Sequence, residues 1–293
     1  MEMGVKSAFV SLIGRPSSGK STLLNKICGR KISIVSPVPQ TTRNKIRGIA
    51  TSEKGQLVFI DTPGFHLSEK KLNRYLMDLV HQAIKEVDLV LYLIDATRPL
   101  GSEERAIARL LASSGQKVIV AFNKVDNENM DREKLARDLS GSGLETEPFF
   151  ISALTGEGVP ELLGHLYNMA PEGDISYPEE YYTDQDPEFR IAEIIREKAI
   201  HHSRQELPHA IYVEIADAEQ RDEFLWVRAF LCVERESQKG ILIGKEGAKI
   251  KGIRVEAEKD LADLFPTPVK LDLRVKVRPR WRRQDALLKK LIR

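Results

Sequence analysis

The chain has 293 residues, enough for two domains of ordinary size that each bury a core. Its 42% hydrophobic and 30% charged content is that of a globular protein, and no apolar run approaches the roughly 18 residues needed to cross a bilayer. Net charge is only +2, but residues 171–238 carry 7 basic against 17 acidic side chains while residues 239–293 carry 16 against 7. That basic block is either a solvated face or the footprint of a nucleic acid. The opening residues MEMGVKSAFVSLIG run straight into a strand pattern without a leader-peptide layout, so a cytoplasmic location is expected. Cys28 and Cys232 lie far apart within apolar patterns and read as buried thiols. The six histidines have no spacing with cysteines or acids that would build a zinc site.

From residue 5 to about 170, apolar strands alternate with loops and amphipathic helices, which predicts an α/β domain with a mostly parallel sheet and helices on both faces. The expected strands are Ala8 to Ile13, Leu57 to Ile60, Leu89 to Ile94, Lys117 to Phe122 and Phe149 to Ile151. Several are unbroken apolar runs, the composition of strands covered on both faces. Residues 171–187, PEGDISYPEEYYTDQDP, are rich in proline and acids and lack periodicity, so they read as a linker between domains 1–170 and 188–293. The second domain is expected to be α+β. Its order is a helix Glu188 to Ser203, strands His209 to Ile215 and Phe224 to Val233, a turn Lys239 to Gly247, a helix Ala248 to Phe265 and a strand Val269 to Val277.

Gly14-Arg15-Pro16-Ser17-Ser18-Gly19-Lys20-Ser21 follows the first strand and opens a helix, the context in which G-x-x-x-x-G-K-[ST] cradles phosphates, and Thr22 after it is expected at the nucleotide as well. Glycines let backbone N–H groups turn inward, and the helix N-terminus adds partial positive charge. Lys20 supplies a cation for the β and γ phosphates, and Ser21 supplies a hydroxyl for Mg²⁺. Asp61-Thr62-Pro63-Gly64 ends the next expected strand. There Asp61 can hold the magnesium shell directly or through water, and Gly64 can offer an N–H to a γ-phosphate. Asn123-Lys124-Val125-Asp126 follows a later strand. The Asp126 carboxylate can accept from N1–H and the 2-amino group of guanine, donors that adenine lacks there. Ser152-Ala153-Leu154 is expected to bring a backbone N–H to the guanine O6.

In this order, these four elements resemble the translation-factor class of GTPases, and within it Gln40-Thr41-Thr42-Arg43 is similar to the first switch of the Era family. The resemblance implies that Thr42 reaches Mg²⁺ and the γ-phosphate. Ras-like enzymes keep a water-orienting glutamine where this chain has Phe65, so slow intrinsic hydrolysis is expected, with Lys20, Thr42 and Gly64 carrying the chemistry. Era relatives usually carry asparagine at the position of Ser17, where it helps hold a monovalent cation. K⁺ is therefore a further expected cofactor whose stimulation Ser17 should weaken.

In the second domain, Ile241 to Ile250 places G-x-x-G, at Gly244 to Gly247, between a strand-like apolar run and a helix. This resembles the KH domain in its type-II order, whose loop clamps single-stranded nucleotides. The residues expected at RNA are Ile243, Gly244, Lys245, Glu246, Gly247 and Lys249. Glu206-Leu207-Pro208 also matches the Era C-terminal domain, so the resemblance spans nearly the whole chain. It implies a monomeric GTPase that binds near the 3′ end of small-subunit (16S) ribosomal RNA during assembly of that subunit, and not DNA. It also implies loose peripheral contact with the cell membrane, for which the tail LLKKLIR could serve. The alternative is an RNA-binding scaffold that senses nucleotide with negligible turnover. Trp281, among four arginines, either stacks on a base or seals the module's core.

Overall fold

The computed structural model describes residues 5–66, 71–127, 130–144, 146–203 and 207–292. The first four residues, Glu206 and Arg293, which figured in the readings above, lie outside the described residues. The chain divides into two compact units. One comprises residues 1–33, 42–184 and 291–293, and the other comprises residues 34–41 and 185–290.

The first unit runs β1 (Lys6–Ile13), α1 (Lys20–Cys28), β2 (Ile46–Ser52), β3 (Gly55–Asp61), α2 (Lys71–Lys85), β4 (Leu89–Asp95), α3 (Ser102–Ala112), β5 (Lys117–Asn123), α4 (Arg132–Ser140), β6 (Phe149–Ile151) and α5 (Val159–Met169). Its six strands lie in the order β2-β3-β1-β4-β5-β6, and only β2 is antiparallel to its neighbour. All seven residues of β3 and of β4 are buried, as two-sided cover requires. Helices α2, α3 and α4 cover one face through Val80, Ile84, Ile107 and Leu135, and α1 and α5 pack against β1, β2 and β3. The chain leaves β1 towards β3 on one side and reaches β4 on the other. The loop after β1 therefore sits where the strand order reverses, the place where open α/β sheets bind ligands.

Strand β2 was not among the expected strands, because Ile46–Ser52 mixes glycine, arginine and serine with its apolar residues. Pairing with β3 makes it an edge strand, where such a composition is tolerated. The expected linker needs a larger correction. Residues 171–184 belong to the first unit and are tied along it. Gln56, fully buried, accepts from the Ser176 and Tyr177 amides at 3.0 and 2.9 Å and returns a bond to the Tyr177 carbonyl. The Ile49 amide donates to Tyr182 O at 2.9 Å, and Arg47 pairs with Asp184 at 2.7 Å. Proline and acid content points to a tether, but this segment finds its partners on the edge strand β2 and its neighbour β3.

The second unit runs α6 (Pro187–His201), α7 (Leu207–Ala210), β7 (Tyr212–Gln220), β8 (Leu225–Val233), α8 (Glu236–Ile243), α9 (Ala248–Ala262), β9 (Val269–Val277) and α10 (Asp285–Leu291). Asp186 caps α6 through the Glu188 amide at 2.8 Å, and Pro187 occupies its first turn. Strands β7 and β8 are antiparallel, whereas β8 and β9 are parallel and are joined by the crossover α8-α9. Alternate β8 residues Val227, Ala229, Leu231 and Val233 are fully buried in one cluster with Ile195 of α6 and Ile253 and Leu261 of α9. Helix α8 was missed. Ile241-Leu242-Ile243 is strand-like in sequence, but these residues form the last turn of a helix that buries Leu242, leaves Ile241 half exposed and stops at Gly244. The expected turn thus narrows to Gly244–Gly247.

Trp281 seals the core: it is 1% exposed, donates from Nε1 to Ala210 O at 2.8 Å and packs on Tyr212. In the tail, Leu288 and Ile292 are buried, so Lys289 and Lys290 are what it presents to solvent. The cysteines are free. Burial pushes the Cys28 thiol up to about 12 and the Cys232 thiol to about 11, which makes both poor nucleophiles.

Candidate functional site

The loops that follow β1, β3, β5 and β6 bring the four expected elements to one end of the sheet, and hydrogen bonds join them. Asn123 donates from Nδ2 to the Ser18 carbonyl and accepts the Ala153 amide at Oδ1, both at 2.8 Å. One side chain thus ties the phosphate loop to the Ser152-Ala153-Leu154 turn. Gly19, at φ 97°, leaves space for it: a Cβ there would stand 2.1 Å from Asn123 Nδ2. The Phe65 amide donates to Gly14 O at 3.0 Å, and Gly64 lies so close that a Cβ would meet Pro16 N at 2.5 Å. Thr62 is fixed to β1 through Leu12 O at 2.7 Å. Thr22 lies in the first turn of α1, and Pro63 and Val125 lie in the loops after β3 and β5.

Asp61 is the polar centre. It is fully buried, and its Oδ2 accepts from Ser21 at 2.6 Å, Ser33 at 2.7 Å and Thr42 at 3.4 Å, while the Ser21 and Thr42 hydroxyls lie 3.0 Å apart. Its Oδ1 is buried without a hydrogen-bond partner among the described residues. Burial pushes the Asp61 carboxyl above its ordinary value, against the pull of Lys20 and the three hydroxyls. A hard cation with oxygen ligands would relieve both the orphaned oxygen and that cost, so Ser21, Thr42 and Asp61 fit Mg²⁺. Lys20 donates to Gly14 O and Arg15 O, each at 3.0 Å, and burial lowers its ammonium to about 8, with the Asp61 charge opposing. A buried cation whose hydrogen bonds among the described residues go to two carbonyls is poised to gain an anionic partner.

Asp126 is exposed at the turn after β5. The turn is set by Lys124, whose φ is 73° and whose ammonium meets Asp95 at 2.7 Å. Burial works against the Asp95 charge, but hydrogen bonds from Lys124 and Thr97 hold its carboxyl below the ordinary value. In the β6 turn, the Ser152 amide donates to Glu157 O and the Ala153 amide to Asn123, and Leu154 is 73% exposed. Ser17 adopts φ 64° in the phosphate loop.

Three contributors were not legible in the sequence. Ser33 lies in a loop without a motif and is fixed by Asn25 of α1, which accepts from the Ile32 and Ser33 amides at 2.8 and 2.9 Å. Asp95 ends β4 as an ordinary strand-terminal acid. The pair Glu103 and Glu104 of α3 hold Arg15 at 2.7 and 2.8 Å, and Glu103 also meets His66 at 2.7 Å. Only the acid-rich start of α3 signalled that a cation would sit nearby.

In the second unit, Gly244, Glu246 and Gly247 all take left-handed φ, at 72°, 52° and 77°. Lys245 and Glu246 are exposed, and Ile243 and Lys249 are half-buried. The two glycines differ in what surrounds them. A Cβ on Gly244 would stand 2.8 Å from that of Lys249, whereas one on Gly247 would meet no atom within 4 Å. The second glycine therefore leaves open space beside a strained backbone.

Comparison with known proteins agrees with both units. The profile of the 50S ribosome-binding GTPases matches residues 9–124, and that of the KH domain matches residues 206–282. The GTPase Era of Treponema denticola is 50% identical over 292 residues, 98% of this chain and 99% of its own. The GTPase Era of Borreliella afzelii is 48% identical over 289 residues, covering 98% and 100%. The chain belongs to the Era GTPase family. Era of Aquifex aeolicus, solved with GDP and AlF₄⁻, superposes with a TM-score of 0.92 at 33% identity, covering 97% of this chain and 98% of that one. An Era solved with MgGDPNP and nucleotides 1506–1542 of 16S ribosomal RNA gives 0.92 at 34% identity with the same coverage. The Era fold expected from the sequence, a P-loop G domain followed by a type-II KH domain, is therefore the fold present, and the chain is a GTPase with an RNA-binding KH domain.

Proposed function

We propose that this Era-family GTPase binds single-stranded RNA near the 3′ end of 16S ribosomal RNA and acts in assembly of the small subunit, with hydrolysis of GTP releasing it. One observation carries the reading: a single chain holds a buried hydroxyl-carboxylate cluster at a phosphate loop and an open glycine loop at Gly247, which heads a helix bearing Lys249, Lys251 and Arg254. The relative solved with 16S nucleotides 1506–1542 supports the choice of target. The loop backbone at Gly244–Gly247 lets a sugar-phosphate chain approach, with Lys245 and Lys249 offsetting its charge. Work on a ribosomal particle makes the cytoplasm the site of action, as a monomer.

In the G domain, Asp126 selects guanine and the Leu154 amide serves O6. Lys20 and the backbone from Gly14 to Ser21 take the phosphates. Mg²⁺ held by Ser21, Thr42 and Asp61 would neutralise charge between the β and γ phosphates. Thr42 and the Gly64 amide close on the γ-phosphate, so they are free to relax once it has left. Phe65 is 6% exposed within the core and cannot hydrogen-bond a water, so the intrinsic rate is slow. Ser17, shorter than asparagine, weakens any stimulation by K⁺. Single-turnover GTP hydrolysis, with and without an RNA spanning the small-subunit 3′ end, tests the assignment. The expected result is acceleration by that RNA and not by a scrambled one. Equal rates with both would overturn the release role.

A further inference from the structure

Asp95 lies outside the four nucleotide-binding elements, yet it grips one of them within the first unit. Strands β4 and β5 run parallel with Asp95 in register beside Asn123, so the two chains leave the sheet side by side. The Ala96 amide donates to Asn123 O at 2.9 Å, and the next residue, Lys124, sends its ammonium to Asp95 Oδ2 at 2.7 Å. The other carboxylate oxygen is taken by its own turn. Oδ1 accepts the Thr97 amide at 3.0 Å and the Thr97 hydroxyl at 2.6 Å. Arg98 approaches Oδ2 at 3.5 Å from a half-exposed position.

Thr97 holds one oxygen, so the carboxylate cannot rotate away from Lys124. Asp95 is 7% exposed, which shields the pair from the water and salt that weaken ion pairs at the surface. Lys124 has need of that hold. At φ 73° it takes the left-handed backbone that a residue with a side chain disfavours. Around this kink the Val125 amide reaches Ile151 O and the Asn127 amide closes on Lys124 O, both at 3.2 Å, so the turn that carries Asp126 pivots on Lys124. Asp126 itself is exposed, and its aim depends on the backbone of that turn. Hydrogen bonds weaken steeply with misalignment, so an acceptor already in place is worth more than one that must be ordered on binding.

We propose that Asp95 is a positioning residue for guanine recognition: through Lys124 it holds the turn that aims the Asp126 carboxylate at the base. This rests on the reading of Asp126 as the acceptor for guanine. The consequence is selective. GDP and GTP share the base, so loss of the hold weakens both alike and leaves the discrimination between them untouched. Guanine loses more than hypoxanthine, which lacks the 2-amino donor that a well-placed carboxylate rewards. The loss falls on binding and not on the chemical step, because the Ser21-Thr42-Asp61 cluster makes no bond to Asp95.

The test uses the full-length chain in Asp95→Asn, Lys124→Met, Thr97→Val and Asp126→Asn forms and the double variant Asp95→Asn/Lys124→Met. Asp95→Asn keeps an acceptor for Thr97 and removes the charge that holds Lys124. Titrations with GDP, GDPNP and inosine diphosphate are the readouts, beside single-turnover hydrolysis at saturating GTP. Asp95→Asn should weaken GDP and GDPNP by about tenfold each and inosine diphosphate by about threefold, with the loss in affinity rather than in the saturated rate. In the Lys124→Met background Asp95→Asn should cost nothing further. Unchanged GDP affinity, a full tenfold loss in that background, or equal losses for GDP and inosine diphosphate would overturn the role of Asp95 alone. If Asp126→Asn leaves the guanine preference unchanged, the reading of the base loop falls and the role of Asp95 falls with it. Should thermal unfolding show that Asp95→Asn does not fold, Thr97→Val, which loosens the same carboxylate, decides the matter: it should weaken GDP by about threefold, and wild-type affinity there would overturn the proposal.

Discussion

Two glycine-framed loops head helices in this chain, and they are built on opposite principles. The loop Gly14–Ser21 is wired from every side: Asn123 holds Ser18, Gly14 accepts from Phe65, and Lys20 is buried against carbonyls. The loop Gly244–Gly247 projects Lys245 and Glu246 into solvent, and its second glycine faces open space. A small anion of fixed shape rewards a preorganised cradle whose donors are already aimed. A polymer backbone that must slide into place rewards an open, strained turn with charge at its rim. The same residue type therefore serves two ends, close packing in one loop and vacant room in the other.

The largest effect should come from the base rather than from either loop. On the proposed reading Asp126→Asn removes the acceptor for two guanine donors, so GTP affinity should fall by about two to three orders of magnitude, and xanthosine triphosphate, with a carbonyl in place of the 2-amino group, should gain. Competition titration with the two nucleotides checks it, and unchanged preference would remove Asp126 from the site. Next, the wiring difference predicts unequal responses to the same change. Gly19→Ala drives a methyl onto Asn123 at φ 97° and should cost about 1–3 kcal/mol of stability along with most nucleotide binding. Gly247→Ala meets no neighbour, so thermal unfolding should move little while RNA affinity drops about tenfold. If both variants lost stability alike, the contrast between the loops would be wrong.

Smaller effects sharpen the charge side of the comparison. Lys245→Ala should weaken RNA binding evenly across sequences and reduce the slope of log affinity against log salt by about one, read from titrations at several salt concentrations. Lys20 gives a pH signature. Its folded value of about 8 lies below the roughly 10.4 of an unfolded lysine, so between those values the unfolded chain holds a proton that the folded chain lacks. The nucleotide-free chain should therefore gain stability from this group as pH rises through that window. Phosphate binding restores the charge, so GDP should take up a proton above about pH 8 and bind more weakly as pH climbs. Calorimetry in two buffers of different ionisation enthalpy measures the uptake, and Lys20→Met should abolish it.

The sequence by itself determined the elements whose chemistry is local. G-x-x-x-x-G-K-S after an apolar run, Asp-x-x-Gly and Asn-Lys-x-Asp at strand ends, and G-x-x-G before a basic helix can each be read in fewer than ten residues, because backbone conformation and functional group travel together there. The strands β3, β4 and β5 were legible because burial on both faces leaves a continuous apolar record. Only the tertiary structure decided that residues 171–184 are a strap along β2 and β3, that Ile241-Leu242-Ile243 ends a helix, and that Ser33 and Asp95 support the site. It also decided that segment 34–41 lies on α6, more than 150 residues further along the chain, through Arg196 and Glu197. These outcomes depend on which hydrogen-bonding group a distant element presents, and a linear pattern of apolar and polar residues carries no record of that partner.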